Sequence, residues 1–220
     1  MNAKQTLSFL FTMILILPAM ALAEPTDNVV SELQKEWAVA NYELSGDAQI
    51  KAYETLITKA DTFVAENPGS AEIHVWNGII KSAFAGVKGG LGALSLAKQA
   101  RVELETSLEI DDRALNGSAY ASLGTLYFKV PGWPVGFGND KKAVQFLKKA
   151  LQINPDGIDP NYFYADYLLD KKDYSGAEEY LLKALDAEPR VERPIADAGR
   201  KQEIDLALAV VRQKLKRSSS

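Results

Sequence analysis

The chain has 220 residues, 47% hydrophobic and 25% charged, a balance that fits a folded soluble protein and excludes a disordered, collagen-like or multi-span membrane chain. Basic residues number 25 against 29 acidic, and the net charge of −4 argues against a nucleic-acid partner. With no cysteine there is no disulfide, thiol catalysis, cysteine-ligated metal or lipid-bearing cysteine.

Residues 1–23 read as a secretory signal peptide. Lys4 supplies the basic start, an apolar stretch runs from Leu7 to Leu17, and Pro18 is followed by Ala21-Leu22-Ala23. The apolar run is shorter than the roughly 20 residues of a membrane-spanning helix. Cleavage after Ala23 and a periplasmic mature protein are therefore expected. The remainder divides into a helical repeat domain over 24–193 and a capping helix with a short tail over 194–220.

The repeat emerges when the chain is aligned on itself. Ala143, Leu147, Ala150, Leu151 and Pro155 recur as Ala177, Leu181, Ala184, Leu185 and Pro189, each at an offset of 34. Small residues let helices approach, leucines fill the space between them, and each proline ends a helix. This pattern resembles the second helix of a tetratricopeptide repeat (TPR). Tyr120, Leu123, Gly124 and Tyr127 occupy the matching first-helix positions, and Gly78 with Ala100, Leu104, Ser107 and Leu108 marks a degenerate earlier unit. A weaker unit from about Ser31 to Pro68 brings the total to four hairpins. After Pro194, Ile204, Leu208, Val211 and Leu215 share one face of a last helix, a solenoid cap. The fold class is all-α, a right-handed TPR-like superhelical solenoid of about four hairpins plus a C-terminal capping helix.

Two irregularities interrupt the repeat. Gly124 to Ala143 spans 19 residues where Ala165 to Ala177 spans 12, so an insert from Lys129 to Asp140 lies inside one hairpin. Its prolines, glycines and the aromatics Trp133 and Phe137 predict an ordered, packed loop. Either both aromatics are presented to a ligand or second subunit, or both plug a groove between hairpins. The glycine-rich stretch Gly86 to Gly92 lacks a preceding strand and a Gly-Lys-Ser/Thr triplet, so it reads as a hinge and not a phosphate cradle.

The TPR resemblance implies a concave surface lined by Val75, Ile79 and Ser82, by Ala121, Thr125 and Phe128, and by Tyr162, Asp166 and Leu169. This face is largely apolar and suits a small hydrophobic ligand or an apolar protein patch; mutual packing of the same side chains is the alternative. Asp197, Arg200 and Glu203 are spaced three apart, as a surface ion-pair set or as a means for Arg200 to reach an anionic ligand. The only histidine is His74, read as a packing residue. No second histidine or cysteine builds a metal site or catalytic triad, so neither an enzyme nor a cofactor is expected.

The segment from about Ser118 to Arg200, with its Val130-Pro-Gly-Trp-Pro-Val-Gly-Phe-Gly138 insert, resembles the T-component family associated with TRAP transporters. That resemblance implies a periplasmic TPR-like adaptor that pairs with a solute-binding protein and helps deliver a small, apolar ligand. The second hypothesis is an envelope scaffold that grips another protein in its groove without a small-molecule site. A homo-oligomer is compatible with either, because solenoid edges and assembly interfaces share one apolar pattern.

Overall fold

The computed structural model describes residues 25–218, so the expected signal segment lies outside the described residues. Helices account for all the regular structure among them. The pairs α1 (Pro25–Tyr42) and α2 (Gly46–Glu66), α3 (Ala71–Lys88) and α4 (Gly90–Ile110), α5 (Ala114–Lys129) and α6 (Asp140–Ile153), and α7 (Ile158–Asp170) and α8 (Tyr174–Leu185) form four hairpins, followed by α9 (Pro194–Ser218). None of these helices is long and apolar enough to cross a membrane.

Side-chain caps set three of the starts. Ser70, Asn139 and Asp173 accept hydrogen bonds from the backbone N–H groups of Ile73, Lys142 and Gly176, each satisfying a donor the first turn leaves free. Asp159 does not cap its helix: Gly157 occupies that position, and the Asp159 carboxylate turns away to form ion pairs. The Gly86 to Gly92 stretch contracts to a one-residue break at Gly89, where Gly89 and Gly90 have φ of 62° and 61°. Such positive φ values suit glycine, which has no Cβ to clash.

Within the second and third hairpins the two helices meet through one repeated device. A Cβ on Gly78 would come within 2.6 Å of Leu104 Cγ, and one on Gly124 within 2.6 Å of Leu147 Cγ. Each leucine is fully buried in the space the missing side chain leaves. Burying it is worth about 1.5–3 kcal/mol. The fourth hairpin has Ala165 and Leu181, both buried, at the equivalent places.

The buried residues form three clusters in chain order. The first joins α1, α2 and α3; the second joins α3 to α6; the third joins α7, α8 and α9. Between the third and fourth hairpins, aromatic and charged contacts do much of the joining. Phe128 meets Tyr167 edge-on at 5.6 Å, Lys129 pairs with Asp166 at 2.9 Å, and Lys171 pairs with Asp140 at 2.7 Å.

The last helix does more than cap the array. Ile204, Leu208 and Val211 pack with Leu181 and Ala184 of α8 as a cap would. Its first two turns run back to the other end of the molecule, where Ile195 and Ala196 join the cluster of Trp37 and Trp76. Gly199 faces the ring of Tyr42 so closely that a Cβ there would lie 2.2 Å from a ring carbon. The Tyr42 hydroxyl donates to Glu203 at 3.4 Å. Contacts of α9 with α1 thereby close the superhelix into a ring.

Candidate functional site

The closure places the start of α9 over the inner face of the array. Pro194 opens the helix as its first residue, where its missing N–H costs nothing, and the preceding turn holds Arg190 and Arg193 against that inner face. Below lies a cavity of about 870 Å³. First helices of all four hairpins contribute to its wall: Trp37 from α1, Trp76 and Ile79 from α3, Ala121 from α5 and Phe163 from α7. The apolar wall thus faces a basic roof.

Three acids hold two of the three arginines. Arg190 donates through its Nη1 to Asp159 and through its Nε to Asp197, both at 2.6 Å, and its backbone N–H also donates to Asp197. Arg200 donates to Asp159 at 2.9 Å and to Glu203 at 2.5 Å, while its guanidinium lies 4.3 Å from the Tyr162 ring centroid and 4.7 Å from that of Phe163. Burial works against ionisation of Asp159, but the guanidiniums of Arg200 and Arg190 outweigh it and hold the carboxyl well below the usual carboxylate range. Burial pushes Glu203 upward, opposed by Arg200.

Arg193 has no such partner. Its guanidinium sits 5.0 Å from the centroid of Trp76, its Nε is buried without an acceptor, and it makes no ion pair among the described residues. Burial, and then the like charge of Arg190, bring its pKa down to about 10, so it remains a cation at neutral pH. The indole N–H groups of Trp37 and Trp76, whose rings meet edge-on at 5.6 Å, are also buried without acceptors.

The cavity floor contains a second unusual element. Leu115, Asn116 and Gly117 all have left-handed backbone, with φ of 47°, 55° and 74° at the entry to α5. Three in a row, two of them with side chains, cost on the order of 1–2 kcal/mol each for the non-glycine residues. The Ser118 hydroxyl donates to Leu115 O at 2.6 Å, and Gly117 fits tightly against Ile153. All three line the cavity.

The residues expected from the repeat pattern divide between this cavity and the packing around it. Ile79 and Ala121 line it, and Arg200 forms part of its roof. Val75 does not: it is fully buried in the second cluster, one position from Trp76, which takes the inner face instead. Tyr162 likewise lies beneath Arg200 and leaves the lining to Phe163. Thr125 donates to the Ala121 carbonyl, while Phe128 and Asp166 bridge α5 and α7. Asp197 and Arg200 are buried and do not form a surface set, and Asp197 serves Arg190 instead of Arg200.

The insert divides its two aromatics. Phe137 packs edge-on against Tyr127 at 5.5 Å, with the Arg101 guanidinium 4.6 Å from its centroid. Trp133 is 90% exposed and Val135 is 63% exposed at the loop tip. Backbone bonds keep that tip in shape: Gly138 N–H donates to Pro131 O, Asn139 N–H to Tyr127 O, and Val135 and Gly136 N–H to Gly132 O. Neither aromatic reaches the cavity.

Residues 138–198 match the tetratricopeptide repeat family. That stretch holds α6, α7, α8 and the first residues of α9. No curated protein matches the chain. The match and the helical architecture together make this an all-α, TPR-like helical solenoid. TPR repeats mediate protein–protein interaction and are typically non-catalytic scaffolds, so a protein partner is the broad functional statement the match supports.

Within this TPR-like frame, Trp37, Trp76, Asp159, Arg190 and Arg193 were not singled out from sequence as site residues. Aromatics at helical spacing read as core, and an aspartate before a proline reads as a cap. A usable signal lay in the segment Pro189-Arg-Val-Glu-Arg-Pro194, which falls after the last repeat and sets two arginines between prolines where no helix needs them.

Proposed function

We propose that the protein is an exported TPR-like binding or adaptor module that holds a small molecule in the roofed cavity and engages a protein partner outside it. In the T-component resemblance that partner is a periplasmic solute-binding protein. The observation that carries this reading is the position of α9: its first turns occupy the groove that an open scaffold would leave for a peptide. What remains is a recess of about 870 Å³, within the range of small-molecule sites. Trp133, exposed on a loop fixed by its own backbone bonds, supplies an aromatic anchor for a partner.

Native mass spectrometry of mature protein purified from the cell envelope tests the proposal. Retention of a small-molecule mass supports it, and co-purification of a solute-binding protein supports the transporter-linked form. A ligand-free protein whose partner binding survives deletion of the 130–138 loop would favour the plain scaffold instead.

A further inference from the structure

The cavity contains more information about its occupant than size. Three buried side-chain polar atoms among its lining residues have no hydrogen-bond partner: Trp37 Nε1, Trp76 Nε1 and Arg193 Nε. All three are donors. A buried donor left unpaired costs roughly 1–3 kcal/mol, so three among the residues around one cavity, two from its wall and one from its roof, form a coherent departure from ordinary satisfaction. Acceptors within reach are already engaged, because Asp159 serves Arg190 and Arg200 and Asp197 serves Arg190 twice.

We infer that the cavity selects small molecules with an acceptor-only anionic head, a carboxylate or phosphate, on an apolar body, and that Arg193 holds the head. This rests on the small-molecule reading proposed above and gives it a chemical class. Carboxylates and phosphates donate nothing when ionised and accept in the paired geometry that a guanidinium offers. Arg193 feels Asp159 and Asp197 at a distance but is the one roof arginine with no ion pair among the described residues and with its Nε lacking an acceptor, and its contact with the face of Trp76 fixes it beside the apolar wall. The body would lie along Trp76, Ile79, Ala121 and Phe163. Asp156, Asp186 and Glu188 also line the cavity, but all are exposed, where salt screens their repulsion beyond about 8 Å.

The test uses four probes of one body: phenylbutyrate, phenylbutyl phosphate, phenylbutanol and phenylbutylamine. The chain has three tryptophans, so in a Trp133→Phe background the fluorescence arises from Trp37 and Trp76 alone, and calorimetry on the same samples supplies affinities. The acid or the phosphate should bind at least tenfold more tightly than the alcohol, and whichever is tighter identifies the head. Arg193→Gln should weaken the anion about tenfold to a hundredfold and leave the alcohol unchanged, which also shows the cavity intact. If Arg193→Gln fails to fold, the four-probe ranking in the parent still decides. An alcohol or amine binding as well as the anions would overturn the anionic class while leaving the small-molecule reading in place. Failure of all four to bind would overturn both.

Discussion

The seams inside the hairpins and the seam that seats α9 on the array combine apolar packing and charge in different proportions. Within a hairpin, Leu104 or Leu147 fills the space beside a glycine, and charge is an addition to that packing, as where the buried Lys81 of α3 pairs with Glu103 of α4 at 2.9 Å. Where α9 and the turn before it seat against α7, Asp159, Asp197 and Glu203 meet Arg190 and Arg200, beside the glycine-to-tyrosine contact of Gly199 with α1. Apolar packing is non-directional and tolerates repetition, so it recurs from hairpin to hairpin, at an offset of 34 residues between the third and fourth. Ion pairs under partial burial demand particular geometry and balance large opposing terms, and they are shared among the most groups where α9 takes its one specific seat.

Breaking the apolar seam should have the largest effect. Leu147→Ala is expected to cost about 2–5 kcal/mol, read as a lower midpoint in urea with the transition still cooperative. A loss under 1 kcal/mol would mean the hairpins are held chiefly by something else.

Asp159→Asn strikes the other seam. It removes the carboxylate that Arg190 and Arg200 share, and should lower stability by about 1–3 kcal/mol. Hydrogen exchange should rise first in the opening turns of α9 while α3 and α4 keep their protection, because the closure can open locally. Uniform loss across the chain would erase the distinction between the seams.

Acid sharpens the same contrast. The folded-state pKa of Asp159 is depressed, so its contribution is complete above the ordinary carboxylate value of about 3.9 and is lost as pH falls through the folded value. Glu203 is raised and acts with the opposite sign, taking up its proton earlier in folded protein and offsetting part of the loss at mildly acid pH. Melting temperature should therefore hold until roughly pH 4 and then fall, and Asp159→Asn should flatten that fall. An unchanged acid limb in the variant would remove Asp159 from the account.

The smallest effect belongs to Trp133→Ala. With its side chain in solvent, the change should stay within about 0.5 kcal/mol in thermal melts while weakening capture of the protein partner. A larger stability loss would mean the loop tip packs against the body.

The repeated seam was legible because its signal is periodic: Ala143 to Pro155 repeats as Ala177 to Pro189, and the four hairpins follow. Register was harder, since one helical position is about 100° of rotation and separates Val75 in the core from Trp76 on the cavity wall. The ring closure was not legible. Nothing in local spacing couples Tyr42 to Gly199 and Glu203, which meet only after the intervening hairpins have turned. Arg200 stood out as an ion-pair member, but its main carboxylate, Asp159, lies 41 residues away.

Contact between α9 and α1 changes how the molecule comes into being. An open repeat array can order itself unit by unit, each stabilised by the neighbour before it. Here the roof of the cavity includes the last described helix in chain order, and it rests on the first described one. The earlier hairpins can assemble in sequence, yet the cavity comes into existence in a single late step, when Pro194 and the turns after it arrive. Until then the chain has walls and no room.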